Sequence, residues 1–448
     1  MKLTWKQGRW IGLWLANLAL IKIVWASLSL KMIGAGYAPT LMAFSRLAAL
    51  LAAYTVLVQL WLIGRGRWLE RDFGLDRLTR IHRWNGFAAV VLVVMHVSSL
   101  VAAQSSILGL QPPATFQYIL ANYEDTSKAF IAEICLFVIA FSSLVIARRK
   151  LKYEYWYYIH LLTYIVVLFS FGHQVKNGLH ILTFDWFNVY WYALFALTLG
   201  SLILYRFIRP FWLWNKHQFR VARVEAESDS AVSIYLSGRN IADFNYEAGQ
   251  FAKFWFVAKG YWLEEHPFSM SREPGSDELR ITPKAIGDFT TKLRNIPKGV
   301  PVVVDGPYGR FTPAIASHKK LVFIAGGIGI TPIRAMLGAL AKSKDKRTMT
   351  LYYSARQPKD LVFKTELEKI SKDLSLTIVY IVTEGELKGA RKDMLTIESV
   401  RSDIKQLSHT DFFICGPPPM MAALRKDLMA QGVKSEDIHY EQFSLVKS

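Results

Sequence analysis

The chain of 448 residues is long enough for two or three domains, and a composition of 52% hydrophobic and 14% aromatic residues is apolar for a soluble protein. A formal net charge of +19 invites a nucleic-acid reading, but much of the excess sits in short loops beside apolar runs: Arg65, Arg67, Arg71, Arg77 and Arg80 in one, Arg148, Arg149, Lys150 and Lys152 in another. Cytoplasmic loops of membrane proteins hold Lys and Arg in this way, so no nucleic-acid partner is expected.

The apolar excess lies before about residue 210. Six runs, at 10–31, 40–63, 82–103, 129–147, 155–173 and 188–208, are predicted to cross a bilayer as helices. The N-terminus (Lys2, Lys6, Arg9), the 64–81 and 148–154 loops and everything after 209 are basic or large, whereas 32–39, 104–128 and 174–187 are poor in Lys and Arg. This alternation puts both termini inside and predicts an integral protein of the plasma membrane with a cytoplasmic C-terminal half. Lys22 interrupts the first run, and no cleavable signal peptide is read there. Two cysteines, Cys135 in an apolar run and Cys415 in a glycine–proline turn, offer neither a disulfide framework nor a multi-cysteine metal site.

Ionisable residues inside spans are costly and point to function. The third run carries His82 and His96, and the fifth carries His160 and His173. At about 1.5 Å rise per residue each pair lies near one helix face, roughly 20 Å apart along the axis. Both runs cross in the same direction. His82 and His160 therefore share the inner level and His96 and His173 the outer one. Two facing histidines per level are suited to clamp one heme iron axially, giving two hemes.

Two such pairs in a six-span bundle resemble the ferric reductase and NADPH oxidase superfamily of transmembrane flavocytochromes. The resemblance implies that His82, His96, His160 and His173 are the ligands of two b-type hemes. It also sets Arg46, near the outer end of the second span, beside a heme propionate; snorkelling to the interface is the alternative. A further histidine that animal oxidases carry beyond the outer ligand is replaced here by Leu100.

From about 216 the pattern changes to short β-type runs, at Gln218–Val224, Val232–Leu236, Phe251–Val257, Leu279–Pro283 and Val300–Val304, separated by turn residues. Three motifs punctuate them: His266-Pro267-Phe268-Ser269-Met270-Ser271, Lys284-Ala285-Ile286-Gly287-Asp288-Phe289-Thr290 and Gly306-Pro307-Tyr308-Gly309. The first offers hydroxyls beside a proline-marked strand edge, the second a glycine opening a helix toward anionic oxygens, and the third a turn. In this order, after Gly249-Gln250-Phe251, they resemble the FAD barrel of the ferredoxin-reductase superfamily. The resemblance implies that His266, Pro267, Phe268 and Ser269 contact the flavin, with Ser269 near its reactive nitrogen and Ser271 and Lys284 in the same motifs. Gly287 and Thr290 are implied to hold the pyrophosphate.

Residues 319–448 alternate strand and helix, as a parallel sheet requires. An apolar strand, Lys320–Ala325, runs into Gly326-Gly327-Ile328-Gly329-Ile330-Thr331-Pro332 and then a helix, a strand–loop–helix context suited to dinucleotide phosphates. A second strand ends at Ser354-Ala355-Arg356, and the Arg356 guanidinium is the candidate for the 2′-phosphate of NADPH, with NADH the alternative donor. A third, Asp411–Ile414, leads into Cys415-Gly416-Pro417-Pro418-Pro419-Met420-Met421. This segment also resembles ferredoxin-reductase relatives, which implies Cys415 beside the nicotinamide ring and Phe443, in Tyr440-Glu441-Gln442-Phe443, over the flavin.

The expected architecture is a six-helix transmembrane diheme bundle over 1–213, an antiparallel β-barrel FAD domain over 214–316 and an α/β NAD(P)H domain with a parallel sheet over 317–448. The expected function is transfer of electrons from NADPH through FAD and two hemes to an outer acceptor. Dioxygen, giving superoxide, is favoured by the likeness to compact bacterial oxidases. A ferric or cupric chelate, or a partner protein or quinone, is the alternative.

Overall fold

The structure, a computed structural model, describes residues 4–144, 151, 153–261, 264–404 and 407–441. It divides into two compact units, one up to Arg206 and one from Phe207.

The first unit holds the helices α1 (Trp5–Ser29), α2 (Tyr37–Ile63), α3 (Leu75–Leu108), α4 (Thr126–Ser143), α5 (Tyr153–His160), α6 (Thr163–Asn177) and α7 (Asp185–Ile203). Thr4 caps α1 reciprocally with Gln7. Gly109, at φ 67°, ends α3 in the left-handed conformation that favours glycine. Among the described residues six stretches are long and apolar enough to cross a membrane: Trp5–Met32, Tyr37–Ile63, Arg77–Leu108, Thr126–Ser143, Tyr155–Asn177 and Asp185–His217. α2 and α3 pack along one another, and α2 buries Ala48, Ala52, Ala53, Leu57 and Leu60. Small residues let helix backbones approach closely where lipid supplies no hydrophobic drive between helices.

The fifth span departs from the uninterrupted helix expected. It breaks after His160, where Leu161 and Leu162 form a turn, and resumes at Thr163. The sixth ends through a π-helical turn, Leu204–Ile208. The basic residues Arg148, Arg149, Lys150 and Lys152 lie outside the described residues.

The second unit opens with helix α8 (Arg209–His217), followed by strands β1 (Arg220–Ala226), β2 (Val232–Ser237), β3 (Phe251–Phe256), β4 (Glu265–Ser269), β5 (Leu279–Ile281) and β6 (Val302–Tyr308). Among the described residues the ladders form two three-stranded antiparallel sheets, β1-β2-β5 and β4-β3-β6, and not the one closed barrel expected. Single bridges at Arg220↔Pro301 and Met270↔Ile281 join their edges. Gly306-Pro307-Tyr308 is strand, not turn. A Cβ on Gly306 would lie 2.6 Å from that of Ala252, so the glycine serves close strand packing. Pro267 sits in β4, an edge strand of its sheet, where a missing N–H costs no ladder bond.

The nucleotide half is as expected in kind. Strands β7 (Lys320–Gly326), β8 (Thr348–Ala355), β9 (Leu376–Val382), β10 (Arg391–Lys392), β11 (Thr410–Cys415) and β12 (Ile438–Tyr440) form one parallel sheet ordered β10-β9-β8-β7-β11-β12. Helices α9 (Ile330–Lys342) and α10 (Pro418–Ala430) follow β7 and β11. Leu321, Phe323, Leu351, Tyr353 and Phe413 are fully buried in its core, consistent with a sheet covered on both faces.

Candidate functional site

In the first unit the four histidines meet in two pairs. The rings of His82 and His160 have centroids 6.0 Å apart, and those of His96 and His173 6.4 Å apart. Two imidazoles held at ~2 Å on either side of one metal ion have centroids roughly 6 Å apart, so both pairs fit an axially clamped iron. The Nδ1 atoms of His82 and His160 are buried without a hydrogen-bond partner among the described residues.

His96 is held further by Ser45, fully buried on α2. Ser45 Oγ donates to the His96 carbonyl at 3.0 Å and lies 2.9 Å from Nδ1, while the Ser45 carbonyl is 3.2 Å from the same nitrogen. The hydroxyl's one proton is committed to a carbonyl, so Nδ1 must be the donor in the other contacts. Nε2 is then left unprotonated, a free ligand lone pair. Asn177 Nδ2 lies 3.2 Å from the Nδ1 of His173 and donates to the Glu124 carbonyl at 2.7 Å. Ser45 escaped the sequence reading because a lone serine in an apolar helix carries no signal until its neighbour is known. The Arg46 guanidinium is half-buried and donates to the Met32 sulfur at 3.3 Å. Lys22 is exposed on α1, with no carboxylate on it among the described residues.

In the second unit, His266 stacks on Phe289 (centroids 3.8 Å apart, planes 25°) and meets Glu264 Oε2 at 2.9 Å. Pro267, Phe268 and Ser269 continue β4, with Ser269 buried at its end. Ser271 parts from them. It is fully buried against Thr282, at 2.8 Å, and receives Arg280 Nε at 3.2 Å. Lys284 bridges to Ala231. Ile286 is 80% exposed and a Cβ on Gly287 would meet nothing within 4 Å, so the backbone there is open to a large ligand. The Thr290 hydroxyl accepts from the N–H groups of Ile286 and Gly287 at 3.0 and 3.1 Å.

Arg280, unremarkable in an apolar strand, is nearly fully buried and joins β5 to the nucleotide half. It donates to both Glu366 oxygens at 2.6 and 3.0 Å, lies 4.5 Å over the Phe363 ring, and shares Glu366 with Arg334, which also binds Glu273.

The glycine loop after β7 divides its labour. A Cβ on Gly326 would meet Met420 Sδ and Pro417 Cδ at 2.8 Å, one on Gly329 would run into the Cys415 carbonyl oxygen, and one on Gly416 would meet the Met420 methyl at 2.6 Å. These three let the β7 and β11 loops touch. Gly327, at φ 53° with nothing near its Cβ position, is the open lip. The Thr331 hydroxyl donates to Ile328 O at 3.0 Å, and Pro332 lies in the first turn of α9. Cys415 is the last residue of β11 rather than part of a turn. Burial, with the Glu441 carboxylate second, pushes its thiol far above the ordinary range. Iodoacetamide at pH 7–8 is therefore expected to leave Cys415 unmodified in the folded protein, as read by peptide mass spectrometry; rapid alkylation would count against a neutral buried thiol. Arg356, just after β8 and Ser354, is 74% exposed and pairs with Glu384 at 2.7 Å. Phe443 lies outside the described residues.

Three family models match the chain in succession. These are the ferric reductase like transmembrane component at residues 48–171, an FAD-binding domain at 216–312 and the oxidoreductase NAD-binding domain at 323–426. Among curated proteins, the chain is 29% identical to the propane 2-monooxygenase reductase component of Rhodococcus jostii, over 50% of this chain and 63% of that one. It is 26% identical to a flavohemoprotein of Bacillus subtilis, over 51% and 60%. The chain thus covers less than two thirds of either relative. Similar solved structures include the FAD/NAD-binding domain of a Vibrio cholerae nitric oxide dioxygenase, with TM-score 0.45, 24% identity and coverage of 50% of this chain and 98% of that one. A ferredoxin NADP+ reductase from Neisseria gonorrhoeae matches with TM-score 0.45, 20% identity and coverage of 50% and 98%. The three family models together set an NAD(P)H-dependent, flavin-binding oxidoreductase half after an integral membrane half.

Proposed function

The chain carries the domain arrangement of the ferric reductase and NADPH oxidase family of flavocytochromes, and from that premise we propose that it moves electrons from cytosolic NAD(P)H through FAD and two b-type hemes to dioxygen outside, giving superoxide. The observation that carries this reading is the meeting of four histidines in two ring pairs on helices able to span a membrane.

Bound flavin and hemes supply the conversion of a two-electron donor into single-electron steps. The chain supplies positions. His82 with His160, and His96 with His173, would hold the two irons, and Arg46, which meets no carboxylate among the described residues, would face a propionate. His266, Pro267, Phe268 and Ser269 line the flavin, with the Ser269 hydroxyl as the donor toward its reactive nitrogen. The open backbone at Ile286 and Gly287, with Thr290, receives the pyrophosphate. Gly327 offers the nicotinamide nucleotide's phosphates a close approach, with Gly326, Gly329, Thr331 and Pro332 fixing the loop. Cys415, Gly416, Pro417 and Met420 wall the nicotinamide end, where a neutral thiol adds bulk without a competing charge. Phe443 is assigned to cover the flavin. One NAD(P)H yields two electrons and one proton on the inner side, and two dioxygen molecules each take one electron.

NAD(P)H consumption by purified protein loaded with heme and FAD, in air and under argon, tests this. Fast turnover in air with dismutase-sensitive superoxide is expected. Slow turnover in air that becomes fast under argon with a ferric chelate would replace the oxidase with a metal reductase.

Ser45 acts in this scheme through His96. Ser45→Ala is expected to keep both hemes while raising the midpoint potential of one, because a weaker acceptor at Nδ1 makes the imidazole a poorer electron donor. Spectroelectrochemical titration reads this; equal shifts in both hemes, or no shift, would remove Ser45 from that role.

A further inference from the structure

We propose that Glu384 is a specificity-determining residue that selects against the 2′-phosphate, making NADH the preferred donor. The inference rests on the reading of this half as a dinucleotide reductase, and concerns which dinucleotide it takes.

In open parallel sheets ligands bind beyond the carboxyl ends of the strands. β8 is the neighbour of β7, which leads into the glycine loop, and β9 lies next to β8. Arg356 follows β8 directly, and Glu384 stands two residues beyond β9. The adenosine ribose of a dinucleotide seated on the glycine loop falls at this edge.

A free guanidinium there would welcome a phosphate, but this one is not free. Arg356 Nε donates to Glu384 Oε1 at 2.7 Å, and Gln357 Nε2 to Oε2 at 3.2 Å. One carboxylate thus caps both donors. Its backbone is tied as well, since the Glu384 N–H donates to the Arg356 carbonyl at 2.8 Å and the Thr383 N–H to the Ala355 carbonyl at 3.3 Å. The hydrogen bonds from Arg356 and Gln357 hold the Glu384 carboxyl below the usual carboxylate range, so it is ionised at neutral pH. A 2′-phosphate entering here meets a fixed negative charge and must break the pair to reach Arg356. A ribose 2′-hydroxyl can instead donate to the same carboxylate. The next cation along the loop, Lys359, is paired with Asp229 at 2.7 Å. Both Arg356 and Glu384 are exposed, so water and salt screen them, and the effect falls on discrimination between donors more than on overall affinity.

The test compares binding of 5′-AMP and adenosine 2′,5′-bisphosphate, which differ only in the 2′-phosphate, to the full-length holoprotein by calorimetry at low salt. The unaltered protein is expected to bind 5′-AMP at least as tightly. Glu384→Gln is expected to shift the ratio toward the bisphosphate by about threefold or more, and Arg356→Ala in the Glu384→Gln background to reverse that gain. An unaltered protein that prefers the bisphosphate, or an unchanged ratio in Glu384→Gln, overturns the proposal while leaving the nucleotide site in place. Binding of neither nucleotide overturns the dinucleotide reading itself, and the proposal with it.

Discussion

His82→Ala and His96→Ala are each expected to lose about half of the bound heme, measured as pyridine hemochrome per protein. Each substitution removes one of two facing imidazoles, and the remaining partner, His160 or His173, holds iron from one side only. The two losses should be separable. Removing His96 frees Ser45 but leaves the His82–His160 pair, roughly four helical turns away, untouched. Any heme left at the altered level should change from the six-coordinate, low-spin spectrum to a high-spin one. Full heme retention with an unaltered spectrum in both variants would remove the ligand assignment and, with it, the reading of the first unit as an electron conduit.

Glu366→Ala is expected to destabilise the reductase half by about 3 kcal/mol, lowering its melting temperature by roughly 6–12 °C as followed by flavin fluorescence. Arg280 has only 3% of its side chain exposed and Arg334 11%, and both share the Glu366 carboxylate. Deleting it leaves buried guanidinium charge with too few acceptors, which costs far more than the pair itself was worth. Glu366 is 35% exposed, so water reaches the site and moderates the loss. Burial works to raise the Glu366 carboxyl, but Arg280 and Arg334 outweigh it and hold it below its usual value. Its contribution is therefore complete above the ordinary carboxylate range and is lost as pH falls through the lowered value. The unaltered protein should lose stability faster on acidification than Glu366→Ala. A melting temperature within 2 °C of the unaltered protein would show that the network does not tie the two halves of the reductase.

Much of the layout is legible in the sequence. The 14-residue interval between His82 and His96 sets both on one side of α3, about four turns apart, because helical rise and twist are nearly constant, whereas the 13-residue interval between His160 and His173 spans the break after His160, where that regularity does not hold. The break after His160 was not legible, since Leu161 and Leu162 are good helix formers. Gly306-Pro307-Tyr308-Gly309 shows the converse error. Turn-forming residues were read as a turn, whereas Ala252 on the facing strand made glycine necessary within β6.

What the sequence by itself determined is whatever repeats along one element: the apolar spans, the shared side of α3 on which His82 and His96 stand, and the strand–glycine–helix passage at Lys320–Pro332. Local geometry follows from local residues. The tertiary structure alone decided which groups meet across long separations. Ser45 reaches His96 over 51 residues, Arg280 reaches Glu366 over 86, and Glu384 closes on Arg356 over 28. No periodicity encodes such partners, because each contact is fixed by the packing of two elements and not by the spacing within either.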